Sequence, residues 1–251
     1  MNINYVKQFC TNVNGWLSDK EGEFLYNSAK NSVKGGVIVE IGSWQGKSTI
    51  YLGWGSKNGN GNHIYAIDPH IGSSEHQISD QKIWTFEKFK ENIKNAELND
   101  IVTPIVLTSE EANKGWDLPI SLLWIDGAHE YEYVKKDFEL WSPFLVEGGI
   151  IAFHDNNYPD VKKLTSETIS INKTFVNLRD VDSILSATKD SSSTLLNKKI
   201  EFYLIYIKKL SKKIYLHFIY LKGILYQKVI SKNTFLERTW KNFKSVVKQL
   251  E

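Results

Sequence analysis

The sequence predicts an α/β protein: a Rossmann-like, mostly parallel sheet with helices on both faces, a closing antiparallel hairpin and a C-terminal helical extension. Three observations predict it. Short runs rich in β-branched residues alternate with amphipathic helical segments between residues 37 and 155, the pattern of parallel strands joined by crossovers. Four of those runs end in acids or a His-Asp pair, at Glu40, Asp68, Asp126 and His154-Asp155. The first run leads through a glycine-containing turn, Gly42-Ser-Trp-Gln-Gly46, into a helix opening near Lys47-Ser48.

Taken in order, residues 1 to 35 read as amphipathic helices. Ser18-Asp-Lys-Glu21 is a capping box that opens a helix through Phe24, Leu25 and Ala29. This segment is expected to cover one sheet edge and the mouth of a site. The strand at Val37–Glu40 precedes a helix from Ser48 to about Lys57, and His63–Asp68 is the second strand. Pro69 to His76 is a polar loop and a candidate lid, with His70 and His76 read as loop residues, not ligands. An amphipathic helix through Trp84, Phe86, Phe89 and Ile93 follows. Ile101–Leu107 is the third strand, where Pro104 implies an edge position or a bulge. Ser121–Asp126 and Ile150–Phe153 are the fourth and fifth, the latter entered through Glu147-Gly148-Gly149. Thr174 to Lys189 reads as the closing hairpin. The carboxyl ends of parallel strands share one edge, so the four acidic ends should gather where open α/β sheets bind ligands.

The turn after the first strand admits three readings. A dinucleotide fingerprint needs G-x-G-x-x-G, which Gly42 and Gly46 do not supply. A P-loop needs four residues before G-K-[ST]. Here Gly46-Lys47-Ser48 is present with a loop one residue short, and Leu122–Asp126 could pass for the metal-binding strand of an ATPase. The third reading is an S-adenosylmethionine (SAM) site, whose first motif is an acid at the strand end followed by G-x-x-x-G. It has no phosphates to cradle, so a nearby carboxylate is acceptable. In any ligand-binding reading, Gly42 and Gly46 would remove Cβ atoms that keep a ligand from the backbone, and the helix start would offer free N–H groups.

Composition narrows the class. With 251 residues, 41% hydrophobic and 24% charged, the chain can hold one sizeable domain plus an appendage. Its single cysteine, Cys10, excludes an internal disulfide framework and a cysteine-based zinc site, which suits a reducing cytoplasm. Neither a secretion signal nor an uncharged apolar run near ~18 residues is visible, so nothing is expected to cross a membrane.

Together, Gly15-Trp-Leu, Val39-Glu-Ile-Gly-Ser-Trp-Gln-Gly-Lys-Ser48, Ile125-Asp-Gly-Ala-His129 and His154-Asp155 resemble the class I SAM-dependent methyltransferases of the family 24 type. That family includes divalent-metal-dependent sugar O-methyltransferases. The resemblance spans roughly residues 15 to 189. It implies that Glu40, Gly42, Ser43, Gly46 and Ser48 line the methionine end of SAM. Asp68 would take the ribose hydroxyls through both carboxylate oxygens. Ser109 would sit by the adenine, although it reads equally as a helix cap. Asp126 and Asp155 match carboxylates that hold the metal, Mg²⁺ or Mn²⁺, with Asp126 and His129 as the catalytic pair and His129 as general base. His154 departs from the pattern, standing where the better-known sugar enzymes carry a second acid. As a third metal ligand, an imidazole would favour Mn²⁺, Fe²⁺ or Zn²⁺ more than an all-oxygen site does. The implied acceptor is a hydroxyl of a sugar or glycoconjugate. The alternatives are an ATP-binding protein and a non-catalytic membrane or oligomerisation module.

Residues 1–190 thus form the expected catalytic domain and 191–251 a basic extension. From Lys198 onward 13 Lys/Arg face three Glu, a charge of +10, leaving −8 for the rest. Apolar residues at Tyr203, Ile207, Leu210, Ile214, Phe218, Leu221 and Leu225 make one helical stripe. A second helix, capped by Thr234–Glu237, carries Leu236, Trp240, Phe243, Val247 and Leu250. Such a tail suits an anionic membrane surface, which would place the protein peripherally at the inner face of the membrane, near a lipid-linked surface polysaccharide. It suits equally well docking on the body or on a second copy in a homo-oligomer. Nucleic acid is a weaker fit for a tail that is not Arg-rich.

Overall fold

The computed structural model describes residues 2–73, 83–171, 174–191 and 210. The helices are α1 (Ile3–Cys10), α2 (Asp19–Lys30), α3 (Lys47–Lys57), α4 (Phe86–Asn95), α5 (Ser109–Asn113), α6 (Tyr131–Trp141) and α7 (Pro159–Thr168). The strands are β1 (Val37–Ile41), β2 (Ile64–Ile67), β3 (Val102–Ile105), β4 (Ile120–Ile125), β5 (Leu145–Phe153), β6 (Phe175–Val181) and β7 (Ile184–Lys189). They form one sheet in the order β3-β2-β1-β4-β5-β7-β6. The first five are parallel, and β7 runs antiparallel to both β5 and β6. The chain steps outward from β1 to β3 and then returns to place β4 on the other side of β1. Loops leaving β1 and β4 therefore diverge, and a crevice opens at their carboxyl ends.

Both sheet faces are covered, which is why the strands read as unbroken apolar runs. The two-residue period divides them: Ile38, Ile64, Leu122 and Trp124 pack with residues of α1 to α4, such as Leu25, Ile50 and Phe89. Val39, Ile41, Leu123 and Ile125 pack on the other side with Val134, Trp141, Val161 and Leu164.

Several expectations are refined. Ser18 and Glu21 form the expected capping box at the start of α2. Helices α1 and α2 pack on α3, α2 also meets the edge strand β6, and the connection between α1 and α2 reaches the cleft. Pro104 lies on the edge strand β3 in an unbroken register with β2, so the edge, and not a bulge, accounts for it. Strand β5 begins at Leu145, and Glu147–Gly149 is a bulge inside it: Leu145 pairs with Ile120, but Ile150 with Leu122. The hairpin turns at Asp182, φ +49°, a conformation Asp tolerates better than most residues.

The chain divides into units of residues 1–195 and 196–251. The second unit, and with it the expected helical extension, lies outside the described residues apart from Leu210, as do residues 74–76 of the expected lid. Among the described residues no helix is long and apolar enough to cross a membrane.

Candidate active site

A cleft of about 830 Å³ lies over the carboxyl ends of the parallel strands, within the size range of small-molecule sites. Of the site residues expected from the sequence, Gly42, Ser43, Ser48, Asp68, Ser109, Asp126, His129, His154 and Asp155 line it. Glu40 and Gly46 are not among its lining residues.

The two glycines are required by the protein itself. Gly42 has φ +86°, and a Cβ there would sit 2.1 Å from the Asp126 carbonyl oxygen, so the β1 turn can press against the end of β4 only without a side chain. Gly46, φ +89°, is the N-cap of α3, and its Cβ would meet Phe89 and Ile93 at 3.2 and 3.3 Å. Gly42 lines the cleft as well, while Gly46 does not.

Glu40 shares its sheet face with Ile38 and therefore points at α3. Its fully buried carboxyl accepts hydrogen bonds from Ser48 Oγ and, at 2.5 Å, from Thr49 Oγ1. Burial, reinforced by Asp126 and Asp68, outweighs the two hydroxyls and pushes Glu40 up to about 8. Glu40 fastens β1 to the first turn of α3 from behind the cleft wall, instead of lining the methionine end.

Asp68 braces the loops. Its Oδ2 accepts from the backbone N–H of Ser43 at 2.9 Å and Trp44 at 2.7 Å, and Oδ1 accepts from His70 N–H at 2.6 Å. These contacts hold Trp44 at φ +47°, which bulky residues rarely adopt. With three of about four acceptor positions occupied, Asp68 has one left, on Oδ1, so the expected two-oxygen grip on a ribose is not available. His70 is a loop residue as expected, but it is fully buried, and its Nδ1 lies 2.8 Å from Thr85 Oγ1.

Ser109 is not a cap, because Thr108 caps α5 in a capping box with Glu111. Its hydroxyl accepts from Trp141 Nε1 at 2.8 Å and bonds to Asp137, joining α5 to α6.

The ends of β4 and β5 bring Asp126, His154 and Asp155 together, with candidate ligand atoms all within 4.8 Å of one another. His154 Nδ1 lies 3.0 Å from Asp126 Oδ1 and 3.1 Å from Asp155 Oδ2, and its Nε2 lies 3.5 Å from Glu21 Oε2. Burial works against a charged ring here, but these carboxylates outweigh it and hold His154 up at about 12. Burial raises Asp126 in spite of the imidazolium. Asp155 goes the other way: burial would raise it, yet His129 and His154 hold it well below the carboxylate range. His129 Nε2 stands 3.1 Å from Asp155 Oδ2, and its ring lies against Tyr158 at 4.7 Å. Two carboxylates and an imidazole at this spacing fit a divalent cation, which would have to displace the proton on Nδ1.

Glu21 is a site neighbour that sequence reasoning missed, because its place in a capping box already explained it. It is 4% exposed; Oε2 accepts from Ser18 N–H at 2.8 Å, and Oε1 accepts from Ser183 N–H at 2.9 Å and Ser183 Oγ at 2.6 Å. One side chain thus ties α2 to the β6–β7 turn and stands behind His154. Burial opposes its ionisation, but His154, Ser183 and Ser18 bring it down to about 2. Also missed were the aromatic residues at the rim. Trp16, 65% exposed, lies 5.5 Å from the Trp44 ring, and Tyr133 and Tyr158 line the same cleft.

A parallel sheet that reverses beside β1, with a cleft over the reversal and acids at the strand ends, is the architecture of class I SAM-dependent methyltransferases. Residues 39–156 match the family 24 model, described as a methyltransferase domain. Among solved structures the chain is similar to the O-methyltransferase NovP, with 14% identity, TM-score 0.56, and coverage of 69% of this chain and 81% of that one. It is also similar to the O-methyltransferase from Bacillus cereus in complex with SAH, with 20% identity, TM-score 0.53, and coverage of 74% and 90%. At these identities the likeness establishes the shared fold. An uncharacterized protein, R132 of Acanthamoeba polyphaga mimivirus, is 28% identical over 138 residues, 54% of this chain. The chain spans 57% of the length of that curated relative.

Proposed function

We propose that this protein is a SAM-dependent O-methyltransferase that modifies a hydroxyl of a sugar or glycoconjugate with the help of a divalent metal, Mg²⁺ or Mn²⁺. The observation that carries the reading is the placing of Asp126, His129, His154 and Asp155 along one wall of the cleft whose other wall is the β1 turn. Buried Ser43 Oγ, on that turn, has no hydrogen-bond partner among the described residues and supports a ligand there. The P-loop alternative loses its lysine, since Lys47 Nζ donates to the Gly15 carbonyl at 3.2 Å.

Gly42, Ser43, Ser48 and Asp68 would hold the cofactor, and Asp126, His154 and Asp155 the metal. When bound, SAM supplies an electrophilic methyl group, and a metal lowers the pKa of an alcohol while orienting it. The residues do the rest. His129 accepts the hydroxyl proton as the methyl carbon passes from sulfur to oxygen, which leaves a methyl ether and SAH. Asp155 fixes the His129 ring through Nε2, and Tyr158 backs it. The apolar ring faces of Trp16, Tyr133 and Tyr158 suit the C–H face of a sugar ring at the mouth.

The test is methyl transfer from labelled SAM by the full chain to a panel of glycans, with and without chelator. Turnover that chelator abolishes and Mn²⁺ or Mg²⁺ restores is expected, with SAM but not ATP raising the melting temperature. Full turnover in excess chelator would remove the metal from the proposal, and ATP stabilisation without SAM stabilisation would overturn it. For the basic tail the proposed partner is an anionic membrane surface. It predicts that the full chain, but not a chain ending near Lys189, co-sediments with anionic vesicles. A concentration-dependent homo-oligomer in place of vesicle binding would assign the stripe to a second copy.

A further inference from the structure

Helix α6 buries Val134, Asp137 and Trp141. Spaced three and four apart, these positions form the stripe that faces the sheet, and an aliphatic residue would suit the middle one. It holds instead a carboxyl on a residue only 7% exposed. A charge is seldom left there unless something uses it.

The surroundings show what it can do. Trp141 Nε1 donates to Ser109 Oγ at 2.8 Å, so the Ser109 hydroxyl proton is free to go to Asp137, with which it bonds. One acceptor position is thereby filled, and the others remain on a side chain that lines the cleft. Residue 127 leaves that carboxyl uncovered. A Cβ on Gly127 would touch Asp137 Oδ2 at 3.4 Å and Ile41 at 3.6 Å, ordinary contacts, and Gly127 is not among the residues with positive φ. Neither backbone conformation nor packing demands a glycine at 127, in contrast to Gly42. Burial pushes Asp137 up to about 6, against the opposing pull of Ser109 and Lys136, which leaves it able to accept at neutral pH.

Strand order indicates which part of a cofactor meets it. The proton-accepting and metal-binding groups follow β4 and β5, while Ser109 follows β3 at the far edge, with Asp68 of the β2 loop between them. In SAM the adenine is separated from the sulfonium by the ribose, so the purine belongs on the Ser109 side. We infer that Asp137, oriented by Ser109 and left open by Gly127, reads the purine edge of the cofactor by accepting a hydrogen bond from its exocyclic amino group. The inference rests on the SAM reading above.

The experiment compares SAH with its deaminated analogue, S-inosylhomocysteine, in which a carbonyl replaces the amino group. Binding is measured by calorimetry on the full chain. A buried acceptor facing a carbonyl is left unpaired and repelled, so the wild type should prefer SAH by roughly 30-fold or more. Asp137→Asn can turn an amide N–H toward the carbonyl and should bring the ratio below about fivefold. Gly127→Ala keeps the fold and covers Oδ2, and it should weaken SAH and narrow the ratio as well; it decides the matter if Asp137→Asn fails to fold. SAH binding with an unchanged ratio in the folded variants would overturn the role of Asp137 and leave the methyltransferase reading standing. No SAH binding by the wild type would overturn both.

Discussion

Replacing Glu40 with Gln tests the claim that the acid at the end of β1 is a neutral structural clasp. Its carboxyl is fully buried against Ser48 and Thr49. Burial raises it from 4.5 to about 8. The sign follows from proton binding: between those values the native state holds a proton that the unfolded chain has released. The stabilisation is fully present below about pH 4.5 and is lost as pH rises through 8. Each pH unit in the window costs at most about 1.4 kcal/mol, so the wild type should lose roughly 2–4 kcal/mol between pH 5.5 and 8 through this group. Gln is isosteric: it can accept from one hydroxyl and donate to the other, and it does not titrate. Asp137 and Asp126 are also raised. They are common to both proteins and cancel in the comparison. Urea unfolding of both proteins at pH 5.5, 7 and 8 reads the difference, and the variant should gain on the wild type steadily as pH rises. Parallel stability curves would refute the buried neutral acid. A variant that loses SAH binding without losing stability would restore Glu40 to the cofactor site.

Three further outcomes follow from the same geometry. Gly42→Ala places a Cβ 2.1 Å from the Asp126 carbonyl oxygen at φ +86°, and should lower stability by about 3 kcal/mol or more, seen as a fall in Tm. Glu21→Ala strips Ser183 and His154 of a shared partner and should cost about 2–4 kcal/mol; a Tm within about a degree of wild type would show that the clasp is idle. His129→Ala should reduce kcat by roughly 10²–10⁴ while leaving the SAH Kd near its wild-type value, measured by steady-state assay and calorimetry; loss of SAH binding instead would move His129 from proton transfer to the cofactor.

Much of the fold was legible because local patterns report it directly. The runs at 37–41, 64–67 and 120–125 are buried on both faces and bounded by turn residues, and the Ser18–Glu21 box marks a helix start. The elements assembled at long range were not. The bulge at Glu147–Gly149 looks like a turn before a strand, because only its pairing with β4 shows that the strand has already begun. The gathering of Asp126, His154 and Asp155 was legible because parallel strands must deliver their carboxyl ends to one edge. Glu21 was not, since 162 residues separate it from Ser183, and a helix cap sufficed to explain it. Asp137 left one signal, a charge where the α6 stripe calls for an apolar residue, and this shows only once Val134 and Trp141 are taken as a frame.

The amino-acid order by itself determined the alternation of strands and helices, the parallel sheet and the set of acids at its carboxyl edge. Periodicity and chain connectivity act between neighbours a few residues apart, and right-handed crossovers leave few ways to assemble such a chain. Tertiary structure decided what each acid does. Glu40 lies one residue inside the end of β1 and Asp68 directly follows β2, so one faces a helix and is driven toward neutrality by burial, while the other faces the loops and takes their N–H groups. The sheet face a side chain occupies, and the dipoles and charges that distant segments bring against it, set its protonation and its partners, and these exist only in the folded chain.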